Sequence, residues 1–143
     1  MGLTDVESQQ LGDYAEFRQN AVQQVNNYIR AMTGAAMSEA EAKRLMMGVA
    51  NAGSGLFDGD DPVSFKRKLD TAQQGAVFAL ARYNMILKQN KLPGSAKELE
   101  AMMPLGKVRN IMMKKRRSLL QEAKRSNLDS GWVREQMQAE FGI

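Results

Sequence analysis

The sequence predicts an all-α protein, a helical bundle of about five to six helices arranged around a long central helix near residues 62–90. Three observations carry that expectation. Apolar residues recur at helical spacing over long stretches. A serine followed three residues later by a glutamate, the pattern of a helix start, occurs at Ser38 and again at Ser95. Glycine and proline breaks separate the periodic segments.

The central helix is read from Pro62 to Asn90. At about 100° per residue, Phe65, Leu69, Ala72, Ala76, Ala79, Leu80, Tyr83, Ile86 and Leu87 fall within an arc of roughly 120°. In the first half the other side is Lys66, Arg67, Asp70, Gln73 and Gln74, an ordinary solvated face. In the second half it is Val77, Phe78, Ala81 and Met85. A helix that is apolar all round has neighbours on every side. Gly75–Leu87 is therefore expected to be the hub of the fold, with Phe78, Leu80 and Tyr83 all largely buried.

In chain order, Asp5 to Thr33 reads as a first long helix, with a stripe through Leu11, Tyr14, Val22, Val25, Ile29 and Met32. Its far face is amide-rich in the later turns: a solvated face, or a polar contact surface for another subunit. Gly34 supplies the stop, since glycine takes the left-handed conformation without strain. Ser38 and Glu41 form a capping box, and Ala42, Leu45, Met46 and Val49 carry a short helix to about Ala50. A loop follows through Asp61. There Asp58, Asp60 and Asp61 fail the calcium-loop pattern, because the twelfth position counted from Asp58 is Leu69. They are expected to serve the start of the central helix, with Asp61 as N-cap and Pro62 at the first helical position. Leu92-Pro93-Gly94 is a boundary. Ser95 to Met103 reads as a short helix opened by a second capping box, Pro104-Leu105-Gly106 as a tight turn, and Lys107 to about Arg125 as the next helix. Asn127 to Gly131 then introduces a terminal helix carrying Trp132, Val133, Met137 and Phe141. Residues 1–90 form a three-helix core on this reading, and 91–143 a basic C-terminal helical segment packed on the same domain.

Composition narrows the chemistry. The chain has 143 residues with neither cysteine nor histidine, which removes disulfides, thiolate or imidazole zinc sites, and any triad that needs those side chains. Paired carboxylates, an activated lysine or a carboxylate-bound metal would be left to an enzyme, and the one acidic cluster is already explained as a helix cap. No enzyme activity, cofactor or metal is expected. Gly53-Ser54-Gly55 lacks the lysine and hydroxyl residue of a phosphate loop. No apolar run approaches a membrane span, no signal peptide is visible, and position 6 is Val6 where a myristoylation signal wants Ser or Thr.

Charge is unevenly placed. Residues 1–61 carry four basic and nine acidic side chains, and residues 62–143 carry sixteen and seven. The basic excess concentrates in Lys107–Arg125, with eight cations and one acid, Glu122. Val108, Ile111, Met112, Leu119 and Ala123 form one stripe of that helix. Lys107, Lys114, Arg117, Lys124 and Arg125 lie within roughly 100° on the far side. Lys115 falls inside the apolar stripe, so it must snorkel or the helix breaks there. A row of cations on a rigid helix suits phosphate neutralisation, which carries no sequence information. A solvated basic face, an anionic membrane surface or a protein interface would suit the same pattern. The helix pair around Pro104 also has the lengths of a helix-turn-helix.

The run from Tyr28 to Arg44, with its small-residue segment Thr33-Gly34-Ala35-Ala36-Met37-Ser38, is followed by a glycine-broken loop, Asp61-Pro62, and Phe65-Lys-Arg-Lys-Leu69. Together these resemble the ejection, or DNA-injection, internal virion proteins of tailed bacteriophages, over about residues 14–90. The resemblance implies a helical structural part without catalytic residues, assembled in a virion with copies of itself or with other virion proteins, near DNA. The alternative is a free, sequence-tolerant DNA-binding protein using the basic helix 107–125, with duplex DNA as partner and a cytoplasmic location.

Overall fold

The computed structural model describes the backbone of residues 5–50 and 62–143, and the side chains of 16–48 and 63–143. The described residues form six helices: α1 (Asp5–Met32), α2 (Glu39–Ala50), α3 (Pro62–Lys88), α4 (Ala96–Met102), α5 (Leu105–Arg125) and α6 (Ser130–Phe141). No strand is formed among the described residues, and the architecture is an all-α bundle.

The first three helices run up, down and up. Gly34, at φ +92°, reverses the chain after α1, and its N–H donates to the Met37 carbonyl at 2.8 Å. Leu45 of α2 packs over the bare backbone of Gly75, and Glu41 meets Arg82, so α2 is antiparallel to α3. The Arg18 guanidinium stacks 5.0 Å from the centre of the Phe65 ring, which places the middle of α1 beside the start of α3. Val25, Ile29 and Met32 of α1 then share one core with Ala36, Met37 and Ala42, and with Ala72, Ala76 and Ala79 of α3.

α3 serves a second core on its other side. Ala81 and Met85 pack with Val108 and Met112 of α5 and Phe141 of α6. A third cluster, Leu119, Ala123 and Val133, closes the antiparallel pair α5 and α6. The expected hub is therefore present, with one correction. Phe78, Leu80 and Tyr83 are each only partly buried. The fully buried positions of α3 are mostly alanines, whose small side chains let neighbouring helices come close.

The helix ends follow local chemistry. Pro62 opens α3 as expected; the roles assigned to Asp58, Asp60 and Asp61 lie outside the described residues. α3 ends at Lys88, two residues before the expected stop. There Asn90 takes φ +56°, its N–H donates to the Leu87 carbonyl at 2.9 Å, and the Lys91 N–H donates to the Ile86 carbonyl at 3.2 Å. This is the hydrogen-bond pattern of a Schellman cap. Asn127, also at φ +56°, closes α5 the same way, with the Leu128 N–H on the Ala123 carbonyl at 2.8 Å. α5 begins one half-turn before the expected Lys107, because Pro104 accepts its first backbone bonds. Asp129 caps α6 by accepting from the Trp132 N–H at 3.0 Å.

Candidate nucleic-acid interface

α5 is built to be held along one narrow strip. Val108, Met112, Leu119 and Ala123 are buried, at i, i+4, i+11 and i+15, and point into the second and third cores. Every other residue of α5 is exposed except Leu105 and Ile111, which are half-buried. Between Met112 and Leu119 six consecutive residues, 113–118, are all exposed over about a turn and a half, with α6 running alongside so that Arg116 and Met137 line one cleft. Lys114, Lys115, Arg116 and Arg117 fall within this exposed stretch.

The five cations singled out in sequence, Lys107, Lys114, Arg117, Lys124 and Arg125, are all exposed on this one helix. Arg109 and Arg116, which sequence reasoning left aside, are exposed as well. Lys115 is exposed and α5 is unbroken there, so its ammonium reaches water from the edge of the buried strip. Among the described residues none of the eight cations has a salt-bridge partner. Lys124 and Arg125 stand in the last turn, where they also complement the negative end of the helix dipole.

The short turn at Pro104 joins helices with different neighbours. α5 packs on α3 and α6, whereas α4 is tied to α2 through Glu100. That tie belongs to a polar cluster that the sequence reading missed. Arg82 is fully buried and donates from Nη1 to Glu41 Oε2 (2.9 Å) and the Met103 carbonyl (3.0 Å). From Nη2 it donates to Glu41 Oε1 (2.7 Å) and the Ala36 carbonyl (2.9 Å). Glu41 in turn accepts from the Ser38 N–H at 3.2 Å while Ser38 Oγ accepts from the Glu41 N–H at 3.0 Å, the capping box expected from sequence. Ser38 Oγ donates onward to Glu100, which also pairs with Arg44. The hydrogen bond from Ser38, followed by the nearby Arg44, holds the Glu100 carboxyl below the usual carboxylate range. The signal was available: a single cation inside an otherwise apolar stretch must be paired when buried.

This cluster joins α2, α3, α4 and the turn after α1, and both terminal nitrogens of Arg82 are spent within it, while its Nε is buried without a hydrogen-bond partner. Among the described residues no group of acids could hold a metal ion, and no helix is long and apolar enough to cross a membrane. Comparison of the chain with protein-family models, with curated proteins and with solved structures found no match.

Proposed function

We propose that the chain is a non-enzymatic helical module of a tailed-phage virion, of the ejection type, working by assembly with itself or other virion proteins and meeting duplex DNA through α5. One observation carries the reading: eight exposed cations, none of them in a salt bridge with a described residue, and one acid on a helix held only by its opposite strip. Phosphate contact requires cations that are not already neutralised, on a scaffold that does not have to be ordered first. The assembly half of the proposal is supported by large apolar side chains left on the outside of the three-helix core. Phe17 is 60% exposed, Met47 64% and Val63 67%.

The alternative, a free DNA-binding protein, uses the same face. Size-exclusion chromatography with light scattering, with and without a short duplex, separates the two. The virion-module reading expects a homo-oligomer before DNA is added. A monomer that changes mass only with DNA favours the free binder. A monomer indifferent to DNA contradicts both.

A further inference from the structure

The arrangement of cations round α5 supports more than a flat contact with phosphates. Viewed down the helix at about 100° per residue, Lys107, Lys114 and Arg125 lie on one flank, and Arg109 and Arg116 lie roughly 140–180° away on the other. Arg117 projects between the flanks, with Asn110 and Met113 on either side of it. The second flank continues onto α6, because Arg116 and Arg134 line the same cleft between the two helices. All of these side chains are exposed. A helix resting on a flat polyanion uses one cationic face and gains nothing from cations half a turn away. A helix lying between two rows of phosphates uses both flanks.

We infer that α5 enters the major groove of B-form duplex DNA, its two cationic flanks gripping the phosphates of opposite strands and Arg117 directed at the base edges; this rests on the DNA reading proposed above. The dimensions agree. The major groove is about 12 Å wide and a helix with its side chains about 10–12 Å across, whereas the minor groove, about 6 Å wide, excludes it. The cations from Lys107 to Arg125 span about 27 Å of helix at 1.5 Å per residue. The two-residue turn before α5 and its narrow buried strip leave most of its circumference free for such an approach. An anionic lipid surface fits less well: the side chains projecting between the flanks include a guanidinium and an amide, and no aromatic residue occurs in α5.

Duplex geometry gives the test. The deep, narrow major groove of A-form RNA does not admit a helix, so a groove-inserting α5 distinguishes DNA from RNA of the same sequence, while a flat phosphate contact does not. Binding of the full chain to a short labelled duplex is measured by fluorescence anisotropy at low salt, for DNA and for RNA. The wild-type chain is expected to hold DNA at least about tenfold more tightly than RNA, and to protect guanine N7 in the major groove from methylation. Arg109→Glu with Arg116→Glu is expected to weaken DNA binding by at least about tenfold, as is Lys107→Glu with Lys114→Glu, since each pair removes two phosphate contacts. Equal affinity for the two duplexes, or a loss below about twofold from the Arg109/Arg116 reversal, overturns groove insertion while leaving DNA contact standing. No binding to either duplex removes the DNA reading and this inference together. The RNA comparison and the methylation protection use the unmodified chain, so neither depends on a variant folding.

Discussion

Arg82 is where a single side chain carries the most structural consequence. Its guanidinium is inaccessible to solvent, and four of its hydrogen bonds go to the Glu41 carboxylate and two backbone carbonyls on different segments. Removing one partner of a buried pair strands the other charge, at about 3–5 kcal/mol. Arg82→Ala and Glu41→Ala are each expected to lose that much in urea unfolding, and the double variant much less than the sum. Additive losses would show that the two side chains act independently. Glu100 sits at the rim of the same cluster, with its carboxyl lowered from an ordinary value of 4.5. A depressed folded-state value means that its contribution is present above about pH 4.5 and is lost as pH falls through the lowered value. Glu100→Gln should therefore lower the melting temperature at neutral pH and shrink its fall on acidification; an unchanged acid limb would refute the linkage. Ser38 and Glu41 were legible as a cap because both partners lie three residues apart. Arg82 and Glu41 are 41 residues apart, and nothing local to either names the other.

Elements were legible to the extent that their ends obey local chemistry. The second capping box is only half realised. Ser95 Oγ accepts from the Glu98 N–H at 3.2 Å, but the Glu98 carboxylate accepts from Gly94 at 3.3 Å instead of returning to Ser95. Ser95→Ala should still cost about 0.5–2 kcal/mol, because a helix-start N–H loses its acceptor. The ends of α3 and α5 were harder to read, since asparagine takes the left-handed cap less often than glycine. At the end of α6, Gly142 combines φ +69° with close approach of the Asn84 side chain, whose Nδ2 donates to the Phe141 carbonyl at 2.9 Å. A Cβ there would lie 2.4 Å from Asn84 Nδ2. Gly142→Ala should destabilise by at least about 1–2 kcal/mol from backbone strain alone, and a neutral result in thermal unfolding would contradict this cap. The periodicity of α5 showed its buried strip and its cationic face. It did not show that residues 113–118 are all exposed, which depends on how α3 and α6 pack against the helix on either side of them.

At the scale of the whole molecule, α3 joins two cores that never merge, one shared with α1 and α2 and the other with α5 and α6. The all-round apolar character of Gly75–Leu87 foretold this, since a helix wetted on one side does not carry Val77, Phe78, Ala81 and Met85 on the face opposite its main stripe. Which neighbours fill each side was not legible, because alanine-lined contacts carry no partner information. The basic arm α5 is consequently anchored to the hub through Val108 and Met112, while its cations contribute little to the fold. Lys114→Glu with Arg117→Glu should shift the melting temperature by little, since exposed charges contribute about 0–1 kcal/mol. The decisive measurement is the salt dependence of duplex DNA binding by the unmodified chain. Each neutralised phosphate releases counterions, so Lys107, Lys114, Lys124 and Arg125 on phosphates give a slope of log affinity against log salt of about −3 to −4, and the addition of Arg109 and Arg116 a steeper one. The Lys107/Lys114 reversal should flatten that slope and weaken every sequence alike. A slope near zero, or no binding even at low salt, would contradict phosphate contact by α5.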